Sequence, residues 1–271
     1  MIELRLLTFN ALMRGGVRPR LRALGAVLER SGYDVVCLQE VAFRSHADLI
    51  RRAAPRYGHH AWSGAVLPAG GLVLLSRRPI RTVRFSRYPR TGPARAEYLM
   101  RKGAQVAVVE TAEGPLAVVN THLSANRDGD WSAANRYTRV ARAELGHLAG
   151  ELARLDPALP VVAVGDFNLP RTAGTLAGFR AAAGLTDALA GDTGPTYRPT
   201  LRWPNPPALD HVLVRSAPGR TVSARARIVF QDPVPLPGGR QGFLSDHYGV
   251  EAVLTLASSP AGMAEEPRPG L

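Results

Sequence analysis

Cysteine is almost absent from this chain of 271 residues; Cys37 is the only one. No disulfide can form within it, and a thiolate-rich zinc site is excluded. Lysine is as scarce: of 34 basic residues only Lys102 is a lysine. No apolar stretch approaches the roughly 18 residues that span a bilayer. The opening MIELRLLTFN lacks the basic region, apolar run and small-residue cleavage site of a signal peptide, so it reads as a strand. Together these absences predict a cytoplasmic protein, or a secreted one if a leader has been removed. No serine or cysteine nucleophile motif stands out, and no glycine-rich loop with a lysine offers to cradle a nucleotide.

With 45% hydrophobic residues the chain can bury a substantial core, as one large α/β domain or two small ones. Its net charge of +12 invites a polyanionic partner. The skew to arginine, beside abundant Ala, Gly and Pro, equally fits a GC-rich genome. More local is the run from Arg77 to Lys102, nine basic residues against one acid, Glu97. It reads either as a phosphate-facing surface or as a solvated loop. No set of aromatics for stacking bases accompanies it.

Periodicity predicts a strand over 2–10, then a helix from Pro19 to about Ser31 with Leu21, Leu24 and Leu28 on one face. A second strand covers 34–39 and a short helix 45–54. Strands over 59–64 and 72–77 are neighbours, followed by one over 80–86. Residues 105–110 and 116–120 form a hairpin around Glu-Gly-Pro. A long helix is expected from Trp131 to Leu155, with Tyr137, Val140, Leu145, Leu148 and Leu152 as its buried stripe. A strand over 161–166, a short helix over 173–183, and strands over 209–214, 222–230 and 250–256 complete the pattern. Residues 1–257 read as the domain, and 258–271, rich in Pro, Gly, Ala and Glu, as a disordered tail. Hairpins and helical crossovers mixed in this way predict a layered α/β domain whose sheets are not purely parallel.

The chain is organised around VVAVGDFN, residues 161–168. A valine-rich strand runs into Gly165, and Asp166 and Asn168 follow two apart. Continued alternation would point both heads the same way. A carboxylate beside a carboxamide suits metal-assisted phosphate chemistry; a plain turn between strand and loop is the competing reading. Other strand ends carry Asn10, Glu40, His122, Asp210, and Asp246 with His247. Any one is ordinary. Six such ends in one domain are hard to explain as turn chemistry. Carboxylates and amides supply oxygen ligands for a hard cation, and two histidines can donate to a phosphoryl group. Such parts suit metal-assisted attack of water on a phosphate ester.

The motifs TFN at 8–10, LQE at 38–40, NTHL at 120–123, GDFN at 165–168, LDHV at 209–212 and SDH at 245–247 resemble, in order, those of the endonuclease/exonuclease/phosphatase superfamily. The resemblance implies a four-layer α/β/β/α sandwich of two mixed sheets and a metal-dependent phosphoesterase. It implies that Glu40 is the principal ligand of Mg2+ (or Mn2+), with Asn10 beside it and Asp246 near the ion. Asp166 would orient or deprotonate water, and Asn168 would hold a phosphoryl oxygen. His122 would donate to the phosphate, and His247 would sit against it with Asp210 holding its ring. Arg101 and Lys102 are expected to touch substrate. His211, on the opposite strand face from Asp210, is not counted as catalytic. The stretch THLSANRDGDWSAANRYTRVARAEL is similar to neutral sphingomyelinases, whose substrate is a lipid. Trp131 and Trp203 are expected to pack locally rather than enter a bilayer. The expected partner is a small or lipid-linked phosphate ester. A nuclease and an inactive binding scaffold are the alternatives, and the protein is expected to be a monomer.

Overall fold

The computed structural model describes residues 1–93, 97–192 and 194–258. All of the expected tail except Ser258 therefore lies outside the described residues, as does Arg95 of the basic run. Ser258 itself ends the last strand.

In chain order the first elements are β1 (Ile2–Asn10), α1 (Val17–Arg30), β2 (Val35–Gln39), α2 (Arg44–Ala53), β3 (His59–Ala61) and β4 (Val73–Ser76). Then come β5 (Ile80–Arg87), the single turn α3 (Glu97–Met100), β6 (Gly103–Val109), β7 (Leu116–His122) and α4 (Arg136–Ala153). β8 (Val161–Asp166), α5 (Gly174–Ala183), β9 (Thr186–Asp187) and β10 (Asp210–Arg215) follow. The chain ends with β11 (Arg220–Val229), the small ladder of β12 (Val234–Pro235) and β13 (Gln241–Gly242), and β14 (Gly249–Ser258). The strands form two six-stranded sheets, ordered β11-β14-β1-β2-β4-β3 and β5-β6-β7-β8-β10-β9. Each is mixed: β1 and β2 run parallel around the α1 crossover, β7 and β8 around α4, and the remaining pairs are antiparallel.

Strand alternation explains the four layers. Leu4 and Leu6 of β1, Val35 and Cys37 of β2, Val118 of β7, Val162 and Val164 of β8 and Val212 of β10 share one apolar core between the sheets. The intervening residues face outward. Leu7, Phe9, Val36 and Leu38 pack beneath α1 and α2, and Val119, Ala163 and Leu213 beneath α4 and α5. This is the expected α/β/β/α sandwich of two mixed sheets. Cys37 is fully buried in its centre, a packing residue.

The long helix differs from expectation. It starts at Arg136, where Asn135 accepts the N–H groups of Tyr137 (2.7 Å) and Thr138 (3.3 Å) as a cap. Residues 126–135 form a separate loop, because Asn126, Asp128 and Asp130 bond its backbone N–H groups themselves. Thr138, Ala141 and Glu144 join the buried face in place of Tyr137, which is only half-buried.

Candidate active site

Continuing the inner-face alternation of Leu4 and Leu6 leads to Asn10. The same parity leads from Val118 to His122, from Val164 to Asp166, and back from Val212 to Asp210. Parallel strands end on the same side, so these polar groups gather at one end of the apolar core. Register then sets the neighbours: Asp166 pairs across the sheet with His122 on one side and Asp210 on the other. Gly165 lets β8 lie this close. Its φ is +141°, and a methyl there would run into the Thr121 carbonyl oxygen.

The alternation stops at Asp166. Asn168 has φ 51°, and its N–H donates to Asp166 Oδ1 at 2.9 Å. The two side chains therefore reach the same cavity through a tight turn, not by continued strand parity. Asn168 Nδ2 donates to the Leu123 carbonyl at 2.9 Å. Glu40 (φ 58°) and Leu12 (φ 53°) also hold left-handed backbone on the cavity wall. Strain concentrated in this way is characteristic of functional sites.

The cavity holds about 640 Å3. Glu40, Asp166 and Asp246 are on its wall with Lys102, His122 and His247. Asn10 sits beneath, its Nδ2 donating to Asp166 Oδ2 at 3.0 Å and Glu40 Oε1 at 3.3 Å, its oxygen accepting the Leu12 N–H at 3.1 Å. Glu40 also accepts the Met13 N–H at 2.9 Å. Asp166 lies 3.4 Å from His122 Nε2 and 3.7 Å from His247 Nε2. Asp210 meets His247 Nδ1 at 2.9 Å, and Lys102 Nζ meets His122 Nε2 at 2.9 Å and the Leu123 carbonyl at 2.8 Å.

Burial would raise the Asp166 pKa, but His247, His122 and Lys102 more than offset it and hold the carboxyl well below the usual range. Burial likewise opposes the charged ring of His247, yet Asp210, Asp166 and Asp246 push its pKa up to about 10. Asp210 is raised by its own burial, with His247 opposing and the Asp166 charge adding. Glu40 ends below its usual value because His122, the Met13 N–H, Lys102 and Asn10 together outweigh its burial. The site thus pairs ionised acids with a protonated His247 at neutral pH.

The donor set fits a hard divalent cation. Glu40 presents carboxylate oxygens on the cavity wall with no cation at ion-pair distance among the described residues, and Asp246 and Asp166 add oxygens nearby. The tightest trio of ligating atoms is a different one: Asp166, Asp210 and His247, all within 4.8 Å. One Asp210 oxygen is bonded to His247 Nδ1 at 2.9 Å while the other, Oδ1, is buried without a hydrogen-bond partner, and His247 Nε2 faces Asp166 at 3.7 Å; a ring protonated at both nitrogens has no lone pair to offer an ion. That trio is better read as an oriented, protonated ring than as an ion site. Asn10 turns its NH2, not its oxygen, toward the acids, so as it stands it bridges Glu40 and Asp166.

Arg101 and Lys102 separate. Lys102 is buried on the cavity wall, whereas Arg101 is exposed, has φ 53° and borders a smaller neighbouring depression. The left-handed turn at Arg101 sends the two side chains different ways. Much of the basic run is engaged elsewhere. Arg78, just before edge strand β5, pairs with Asp34, and on β5 Arg81 pairs with Glu110 and Arg84 with Glu151. His211 faces outward as expected, with its Nε2 2.8 Å from the Leu169 carbonyl and its ring edge against Phe167. Burial pulls its pKa down to about 4.

Several cavity residues went unmarked in the sequence. The edge of Tyr197 packs on His247, with ring centres 5.0 Å apart, and its hydroxyl donates to Asp246 at 3.2 Å. Trp203 packs on Tyr197, and Trp131 lies nearly parallel to Trp203 at 6.5 Å. The tryptophans do pack on each other, but as one wall of the cavity. Arg14 and Arg127 add cations at its mouth. The sequence singles out Trp131 and Trp203 only as local packing, and gives no signal for Arg14, Arg127 or Tyr197, the last in a proline-rich loop too irregular for periodicity to place.

Known proteins resemble this chain in sequence and in fold. An inositol phosphosphingolipids phospholipase C of Schizosaccharomyces pombe is 29% identical over 195 residues, 62% of this chain. The chain spans only 41% of the length of that protein. Sphingomyelinase C from Streptomyces griseocarneus superposes with a TM-score of 0.72 at 22% identity, over 93% of this chain and 99% of the other. TDP2 of D. rerio, crystallised with a single-strand DNA product, gives 0.72 at 18% identity, with the same coverages. A Staphylococcus aureus beta toxin mutant with bound magnesium ions gives 0.68 at 16% identity, over 96% and 100%. The Endonuclease/Exonuclease/phosphatase family pattern matches residues 7–247, from β1 to His247, and the chain belongs to that family.

Proposed function

We propose that this chain hydrolyses a phosphate ester by direct attack of water, with a magnesium or manganese ion, on a small or lipid-linked substrate as sphingomyelinases do. The observation that carries the reading is the placement of Asp166. An ionised carboxylate stands between two histidines, one of them charged, on the wall of a cavity that also presents Glu40 and Asp246. Asp166 is the acceptor for a proton from water. His247, kept protonated and oriented by Asp210, places positive charge where a phosphoryl oxygen gains negative charge, and the Lys102 ammonium beside His122 extends it. Asn168 completes the wall with its carboxamide. Glu40 would hold the cation, with Asp246 near it; a bound cation supplies Lewis-acid charge to the phosphoryl group.

A lipid-linked ester is favoured by the likeness to the phosphosphingolipid phospholipase and to sphingomyelinase C. A nuclease is the second reading, supported by the likeness to TDP2 and by Arg14 and Arg127 beside the tryptophan wall. The test is hydrolysis of sphingomyelin, an inositol phosphosphingolipid, single-stranded DNA, RNA and simple phosphomonoesters, each with Mg2+ and with EDTA. EDTA-sensitive cleavage of a phosphosphingolipid is the expected result. Cleavage of nucleic acid alone would replace the lipid reading, and EDTA-resistant turnover would remove the metal from it.

A further inference from the structure

Arg20, on the first turns of α1, is a buried cation with no carboxylate at ion-pair distance among the described residues; it is only 7% exposed. A guanidinium has five N–H donors, and here each finds a backbone carbonyl. Nε donates to Gly15 at 2.9 Å, one terminal nitrogen to Ala11 (2.8 Å) and Leu244 (2.7 Å), the other to Leu12 and Arg14 (both 2.7 Å). Four of these carbonyls belong to the loop 11–16. The fifth immediately precedes Ser245-Asp246-His247.

The loop gathered in this way does not hold itself. Leu12 sits at φ 53°, a conformation costly for a residue with a Cβ unless the surroundings impose it. What the loop delivers is two N–H groups: Leu12 to Asn10 Oδ1 and Met13 to Glu40 Oε2. Glu40 is itself left-handed at φ 58°, so its carboxylate is aimed by strained backbone on one side and by the Met13 N–H on the other.

We infer that Arg20 is a positioning residue for the cation site: it fixes the 11–16 loop against the segment leading to Asp246, so that Met13 aims the Glu40 carboxylate into the cavity. This rests on the metal-dependent reading above. Arg20 touches neither substrate nor ion. It acts through backbone, which is why a fork of five donors is required and a point charge would not serve.

The direct test is Mn2+ binding by calorimetry, for the unaltered chain and for Arg20→Lys, with no substrate present. Lysine keeps the charge and stem but has three donors and no fork. The expected result is a Kd raised about tenfold or more in Arg20→Lys, and a lost hydrolysis rate that recovers in part at saturating Mn2+. An equal Kd in a folded Arg20→Lys would overturn the proposal while leaving the metal reading intact. An unaltered chain that binds no divalent cation would overturn both. Hydrogen exchange on the unaltered chain decides the matter should the variant fail to fold. The Met13 amide is expected to exchange at least tenfold more slowly than exposed turn amides such as Gly219, although Met13 itself is 37% exposed. Fast exchange at Met13 would remove the loop's hold on Glu40, and the proposal with it.

Discussion

Asp166 is buried among groups that keep it ionised, and the chemistry proposed for it can be separated from its place in the fold. Asp166→Asn retains the shape and removes the proton acceptor. Hydrolysis is expected to fall about 10²- to 10⁴-fold with circular dichroism unchanged; a rate near the unaltered level would place the chemistry elsewhere. His247 supplies a second prediction at this scale. Its pKa is 6.5 as an ordinary ring and about 10 in the folded chain. Between those values the folded state binds the extra proton. The stabilisation is therefore whole below pH 6.5 and is lost as pH rises toward 10. In EDTA-treated protein, the urea midpoint should decline over pH 6.5–10, and Asp210→Asn should flatten that decline. Equal slopes in the two proteins would show that Asp210 does not hold the proton on the ring.

At the scale of elements, the closeness of β7 and β8 is what brings His122 beside Asp166, and Gly165 is its condition. Gly165→Ala is expected to cost about 3 kcal/mol or more, read as a lowered Tm; an unchanged Tm would mean the strands can part without penalty. The loop 195–209 is an irregular element with a clear anchor. Arg198 lies over the rings of Phe243 and Tyr248 and donates to the Phe230 and Gln231 carbonyls, so the loop holds Tyr197 and Trp203 against the cavity. Trp203→Ala should raise KM for a bulky ester about tenfold, as loss of one stacking face does, with little change in kcat. A fall in kcat at constant KM would instead give Trp203 a role in the chemical step. The regular elements of this region were legible beforehand: β8, α5 and β10 lie within a residue or so of where their periodicity put them. The loop was not, because five prolines between Pro195 and Pro207 suppress any period. Tyr197 is set beside His247 by an antiparallel bridge to a segment 50 positions away, in which the Arg198 N–H donates to the Asp246 carbonyl and the Tyr248 N–H to the Thr196 carbonyl, both at 2.7 Å.

For the whole molecule, a net charge of +12 raises the question of polyanions. Arg78, Arg81 and Arg84 are paired with acids on or beside an edge strand, so the basic run is not a continuous track, and the cations of interest are those at the cavity mouth. If single-stranded DNA binds, the affinity should depend on salt with a shallow slope of two or three phosphates, about −0.7 per phosphate. A slope near −6 would require a long basic track that the described surface does not present. Among the described residues no helix is long and apolar enough to cross a membrane.

Sequence by itself determined the layers and most of the polar cast. Apolar alternation places Leu4, Val118, Val164 and Val212 on one inner face, and the same count carries each strand to Asn10, His122, Asp166 or Asp210, since period-two geometry is local and needs no knowledge of the partner strand. Only the tertiary structure decided how these residues meet. The left-handed turns at Glu40, Arg101 and Asn168, the separation of Arg101 from Lys102, the tryptophan wall, and the five carbonyls collected by Arg20 all depend on segments distant in sequence pressing against one another. Backbone held in an unfavourable conformation by remote contacts leaves no periodic trace in the residues that adopt it.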